Sequence, residues 1–128
     1  LLFISHDLAV VSFLSDTIVV VYAGQVMSLA SAADIFDPPY HPYTEALLSA
    51  IPVVDPEAEQ QHIRLEGDVP SQIDVPSGCP FHPRCPRLVG RICAEEAPPW
   101  QVMGNGKRIY CHITAADLRI QQSRVFQR

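Results

Sequence analysis

The sequence predicts an α/β chain in two parts: a short run of strands and helices, then a small loop-rich lobe that carries the cysteines. Three observations support this. Aliphatic and β-branched runs alternate with stretches of helical period up to residue 37. All twelve prolines lie between Pro38 and Pro99, and proline at that density forbids long regular elements. All four cysteines, Cys79, Cys85, Cys93 and Cys111, fall in the window Gly78–Cys111, with gaps of five, seven and seventeen residues.

The first element is the apolar run Leu1–Ile4, which reads as a buried, parallel strand. Ser5, His6 and Asp7 follow at its carboxyl end, where ligands of open α/β sheets bind. Leu8, Val11 and Leu14 then share a helical face, with Ser5 or Asp7 suited to cap it. Thr17–Tyr22 and Gln25–Ala30 read as a hairpin about Ala23-Gly24. Ser31-Ala32-Ala33-Asp34 has the form of a capping box for a short helix to Phe36, which Asp37-Pro38-Pro39 stops.

Pro42 fits the first position of a second helix, with Tyr43, Ala46, Leu47, Ala50 and Ile51 as its apolar stripe. Val53–Gln61 is acidic and polar and reads as a linker. Arg108–Ile113 reads as a short strand carrying Cys111, and the tail from Ala115 as a weak helix that frays.

The 128 residues suit one domain. Net charge is −5, yet residues 1–63 hold no Lys or Arg and all nine cations lie between Arg64 and Arg128. This excess is too small to argue for nucleic acid, and no nucleic-acid partner is expected. No apolar run approaches the roughly 20 residues that span a bilayer. The chain opens on LLFIS without Met or a basic leader. It is therefore expected to be a piece of a longer, cytoplasmic protein.

Four thiols in one proline-rich window either pair as disulfides, hold a metal or hold an iron–sulfur cluster. A reducing compartment favours the last two. Thiolates suit zinc and iron–sulfur clusters alike. The gaps are not the C-x-x-C pairing common in structural zinc sites. His82 and His112 flank the window and are further imidazole donors for a zinc site. Arg84 and Arg87 beside Cys85 are candidate donors to sulfur or backbone, and Trp100 is expected to bury against this lobe.

Three stretches resemble one family. LLFISHDLAVVSFLSDTIVVVYAGQV resembles the end of the ATP-binding domain of ABC transporters. PPYHPYTEALLSAIP resembles the His-Pro-Tyr segment that opens the C-terminal extension of their oligopeptide and dipeptide subfamily, with the match carried by His41, Pro42 and Tyr43. GDVPSQIDVPSGCPFHPRCP resembles the same extension further along.

The resemblance implies the C-terminal fragment of an ABC-type P-loop ATPase domain, residues 1–37, then the extension, 38–114, and a tail, 115–128. It implies that His6 is the switch histidine that bonds the γ-phosphate and orients the attacking water. It also implies that Cys79, Cys85, Cys93 and Cys111 bind a 4Fe–4S cluster. The intact parent would bind ATP and Mg²⁺, pair with a second ATPase subunit in a homo- or heterodimer, and dock under membrane permeases at the cytoplasmic face. No phosphate-binding G-x-x-x-x-G-K-S/T loop occurs in these residues, so the segment by itself is expected not to turn over ATP. The alternative is a zinc-stabilised four-cysteine binding module without a nucleotide role.

Overall fold

β1 (Thr17–Tyr22) and β2 (Gln25–Ser31) form the hairpin expected from their β-branched runs. Ala23 and Gly24 both take positive φ, 50° and 78°, which suits a tight two-residue turn between right-twisted strands. A register shift at Val20/Val21 bulges the ladder. Ile18, Val20 and Tyr22 point inward, while Val19 and Val21 remain exposed. β2 continues the sheet by pairing with β4 (Arg108–Tyr110), Ser28 opposite Ile109, and β4 pairs with β3 (Trp100–Val102). The sheet is antiparallel throughout, in the order β1-β2-β4-β3. It joins strands from before residue 38 to strands beyond residue 99.

The computed structural model describes residues 2–51, 63–65, 67, 70–71 and 73–122. The expected linker Val53–Gln61 lies outside them.

Residues 2–4 are not a strand. Leu2 and Ile4 are each 86% exposed. A buried parallel strand takes its hydrogen bonds from neighbours on both sides, and no described strand pairs with this segment. Asp7, by contrast, caps α1 (Leu8–Leu14) as expected. Its carboxylate accepts from the amides of Ala9 (3.1 Å) and Val10 (3.3 Å). Of the stripe read on α1, Val11 is buried and Leu14 is exposed.

Ser31 Oγ accepts from the Asp34 amide at 3.1 Å and starts a 3₁₀ turn over Asp34–Phe36. α2 (Pro42–Ser49) begins at Pro42 as read from the sequence. Its buried surface is wider than the apolar stripe, however, because Thr44, Glu45 and Ser49 are buried while Ala50 is exposed. Each of these polar groups has a partner. Thr44 Oγ1 meets Ser28 Oγ at 2.9 Å, Ser49 Oγ donates to the Ala46 carbonyl at 2.7 Å, and Glu45 pairs with Arg87.

The expected strand from Arg108 stops at Tyr110, leaving Cys111 just past its end. α4 (Ala115–Gln121) is capped by Thr114 and followed by Gln122. The Gln122 side chain accepts from the Tyr40 amide (2.7 Å) and donates to the Tyr40 carbonyl (2.9 Å). Up to Gln122 the tail is therefore tied to the segment that leads into α2, not frayed as expected.

Candidate functional site

Gly78 opens the cysteine lobe in the left-handed region, φ 69°, and a Cβ there would lie 2.4 Å from the Cys93 carbonyl oxygen. Only glycine tolerates both conditions. The close approach lets the Cys79 amide donate to the Cys93 carbonyl at 2.8 Å, and Ser77 Oγ donates to the next carbonyl, Ala94, at 2.7 Å. Cys93 lies on α3 (Ile92–Glu95). A 3₁₀ turn, His82–Arg84, carries the chain from Cys79 to Cys85. Cys111 is fixed from behind by Gln101, whose side-chain amide donates to the carbonyls of Cys111 (2.9 Å) and Ile113.

The four cysteines are free thiols, with Cys79, Cys93 and Cys111 buried and Cys85 half-buried. They line one apolar pocket together with His41, Pro42, Phe81, His82, Arg87, His112 and Ile113. The pocket is small, about 20 Å³. Among the described residues no three His, Cys, Asp or Glu groups converge closely enough to hold one metal ion. The cysteines therefore surround a space without forming a ready-made single-ion site.

Burial pushes the Cys85 thiol up to about 12 and Cys111 up to about 11, and it raises Cys79. Backbone amides oppose burial at each sulfur: Phe81 and His82 at Cys79, Arg87 at Cys85, and Ile113 and His112 at Cys111. In all three the amide two residues onward faces the sulfur. That arrangement favours a thiolate once something balances its charge.

His41 forms a wall of the same pocket and is the N-cap of α2. Its Nδ1 accepts from the Tyr43 amide at 3.0 Å, which assigns the ring proton to Nε2 in the neutral imidazole. Nε2 is buried without a hydrogen-bond partner. Burial lowers the His41 pKa to about 3. The Tyr110 backbone acts in the opposite direction, yet no acceptor meets Nε2 in hydrogen-bond geometry. The sequence singled out His41 only as part of a motif that starts a helix. No local signal in the sequence marks its side chain as turned into the lobe.

The arginines beside Cys85 serve the scaffold. Arg87 makes a two-pronged ion pair with buried Glu45, Nε to Oε1 at 3.0 Å and Nη2 to Oε2 at 3.2 Å, and its third prong reaches Gln121. Arg84 Nη1 donates to the Tyr22 hydroxyl at 3.4 Å. His82 and His112 each bond a backbone carbonyl, of Cys79 and Glu96, both at 2.8 Å. Trp100 is 42% exposed and packs on Tyr110, centroids 5.0 Å apart. It lies on short β3 and is not buried against the lobe as expected. His6 is exposed before α1 and does not line the pocket.

A model of the oligopeptide/dipeptide transporter C-terminal region matches residues 27–93. The chain belongs to this family. Among family relatives, a probable peptide ABC transporter ATP-binding protein of Sinorhizobium fredii is 48% identical over 115 residues, 90% of this chain and 32% of the relative. A putative oligopeptide transport ATP-binding protein of Bacillus subtilis is 43% identical over 88% of this chain and 34% of its own length. An oligopeptide transport ATP-binding protein of Haemophilus influenzae is 43% identical over 87% of the chain and 34% of its own. The chain thus spans about a third of the length of the curated relatives it matches. No described helix is long and apolar enough to cross a membrane.

Proposed function

We propose that the chain is the C-terminal part of the ATP-hydrolysing subunit of a peptide ABC importer, and that Cys79, Cys85, Cys93 and Cys111 hold a 4Fe–4S cluster within it. The observation that carries the cluster is the gathering of four thiols from separate segments around one pocket, with backbone amides facing three of the sulfurs. The fit is one of donor chemistry: hydrogen bonds to sulfur and burial are the levers that tune such clusters. A bound cluster would supply cross-links between these segments beyond the apolar packing of Cys79 and Phe81 on Tyr22 and Met27.

The chain's own residues prepare that role. Gly78 brings the backbones of Cys79 and Cys93 together. The Glu45–Arg87 pair holds the Cys85 turn against α2, and Gln101 holds the backbone at Cys111. His6 acts at the ATP site of the intact protein, with Mg²⁺, and the neighbouring ATPase subunit and permeases complete the assembly at the cytoplasmic membrane face. Support comes from the FISHDL context of His6 and from the relatives' naming as ATP-binding proteins of peptide transporters.

Two substitutions in the anaerobically purified intact protein test this reading. Cys85→Ser is expected to lose iron and acid-labile sulfide together, and undiminished iron in that variant overturns the ligand assignment. His6→Ala is expected to abolish ATP turnover while ATP binding persists, and wild-type turnover removes His6 from the reaction.

A further inference from the structure

The geometry points to a role for His41 that resemblance does not assign: its Nε2–H is a hydrogen-bond donor to sulfur in the four-cysteine cage. This inference rests on the proposed cluster. The imidazole is fixed at one end, because Nδ1 accepts from the Tyr43 amide at 3.0 Å. That bond defines the tautomer and commits the proton to Nε2. The ring is 1% exposed, so water does not serve this donor, and the Tyr110 backbone, which acts on the ring, does not meet Nε2 in hydrogen-bond geometry. Buried donors are almost always paired. The same ring walls the pocket lined by Cys79, Cys85, Cys93 and Cys111. The four sulfurs that line the pocket with it are the acceptors that a bound cluster would present to this donor.

The other two imidazoles of the wall spend a ring nitrogen on a backbone carbonyl, of Cys79 for His82 and of Glu96 for His112. His41 is distinguished by having its other nitrogen engaged in a helix cap and its donor nitrogen left over inside the lobe. A neutral N–H donor of this kind stabilises sulfur more as negative charge accumulates on it. His41 is thus a positioning residue that favours the reduced cluster, and it couples that preference to the first turn of α2.

Two amide variants separate cap from donor. Asn at a helix N-cap is among the best caps, and its short side chain keeps the acceptor near Nδ1 but does not extend to Nε2. Gln extends further and offers an N–H near the position of Nε2. EPR-monitored redox titration of the anaerobic intact protein is the readout, alongside iron and sulfide content. His41→Asn is expected to shift the cluster to a more negative potential, on the order of tenfold in the one-electron reduction equilibrium, about 59 mV. His41→Gln is expected to recover most of that shift. An unshifted potential in iron-replete His41→Asn overturns the inference and leaves the cluster standing. A wild-type protein without iron and sulfide overturns the cluster itself, and this inference with it. Should His41→Asn fail to fold, an unshifted potential in iron-replete His41→Ala overturns the inference in the same way.

Discussion

At the scale of single residues, Gly78 brings two cysteine-bearing segments of the lobe together. Gly78→Ala places a methyl against the Cys93 carbonyl and forces a non-glycine residue to φ 69°. It is expected to destabilise the chain by at least about 2 kcal/mol in denaturant unfolding. His41 carries a pH signature in the metal-free protein. Its folded pKa is about 3, against 6.5 for the free side chain. Between those values the unfolded chain binds a proton here that the folded chain refuses. Stability therefore falls as pH is lowered through that window, by about 1.4 kcal/mol per pH unit for a full proton. Denaturant melts from pH 7 to 4 are expected to show this slope in the wild type and a shallower one in His41→Asn. The cysteines and the His-Pro-Tyr triplet were legible in the sequence as landmarks. The inward turn of His41 was not, because a buried unpartnered nitrogen depends on what packs over it, and those residues lie some 40 to 70 positions away along the chain.

Among elements, α2 illustrates the limit of periodicity. Its start was readable from Pro42, and its apolar stripe placed Ala46 correctly inside. Glu45 went unnoticed because a buried carboxylate has no local signature; it is permitted only by Arg87, forty-two residues onward. Arg87→Met leaves that carboxylate buried and unpaired. A loss of about 3 kcal/mol is expected, at the low end for buried pairs because the Arg87 side chain is 25% exposed. The double variant with Glu45→Gln is expected to recover part of the loss, and strict additivity in that cycle would show that the pair is not coupled. α4 depends in turn on Gln122. Gln122→Ala removes two hydrogen bonds to the Tyr40 backbone, each worth about 1 kcal/mol. Faster hydrogen exchange at the Tyr40 amide is the expected sign.

Across the whole molecule, the sheet holds the two halves of the chain together. The β1–β2 hairpin was legible because turn residues and β-branched runs are local signals. The pairing of β2 with β4 was not, since strands of three residues carry too little pattern to reveal a partner some eighty residues distant. The apolar run at residues 2–4 shows the converse: the composition of a strand is present, but pairing belongs to a sheet, and no described strand takes it up. On this frame the cysteine lobe is a set of loops packed on the sheet through Phe81 and fixed by one tight glycine, one ion pair and one glutamine, with four thiols facing a common pocket. The measurement that tests this picture most directly is the iron, acid-labile sulfide and zinc content of the intact protein purified without oxygen. About four iron and four sulfide per chain, with little zinc, is the predicted result. Stoichiometric zinc without iron, or no metal at all, would contradict it.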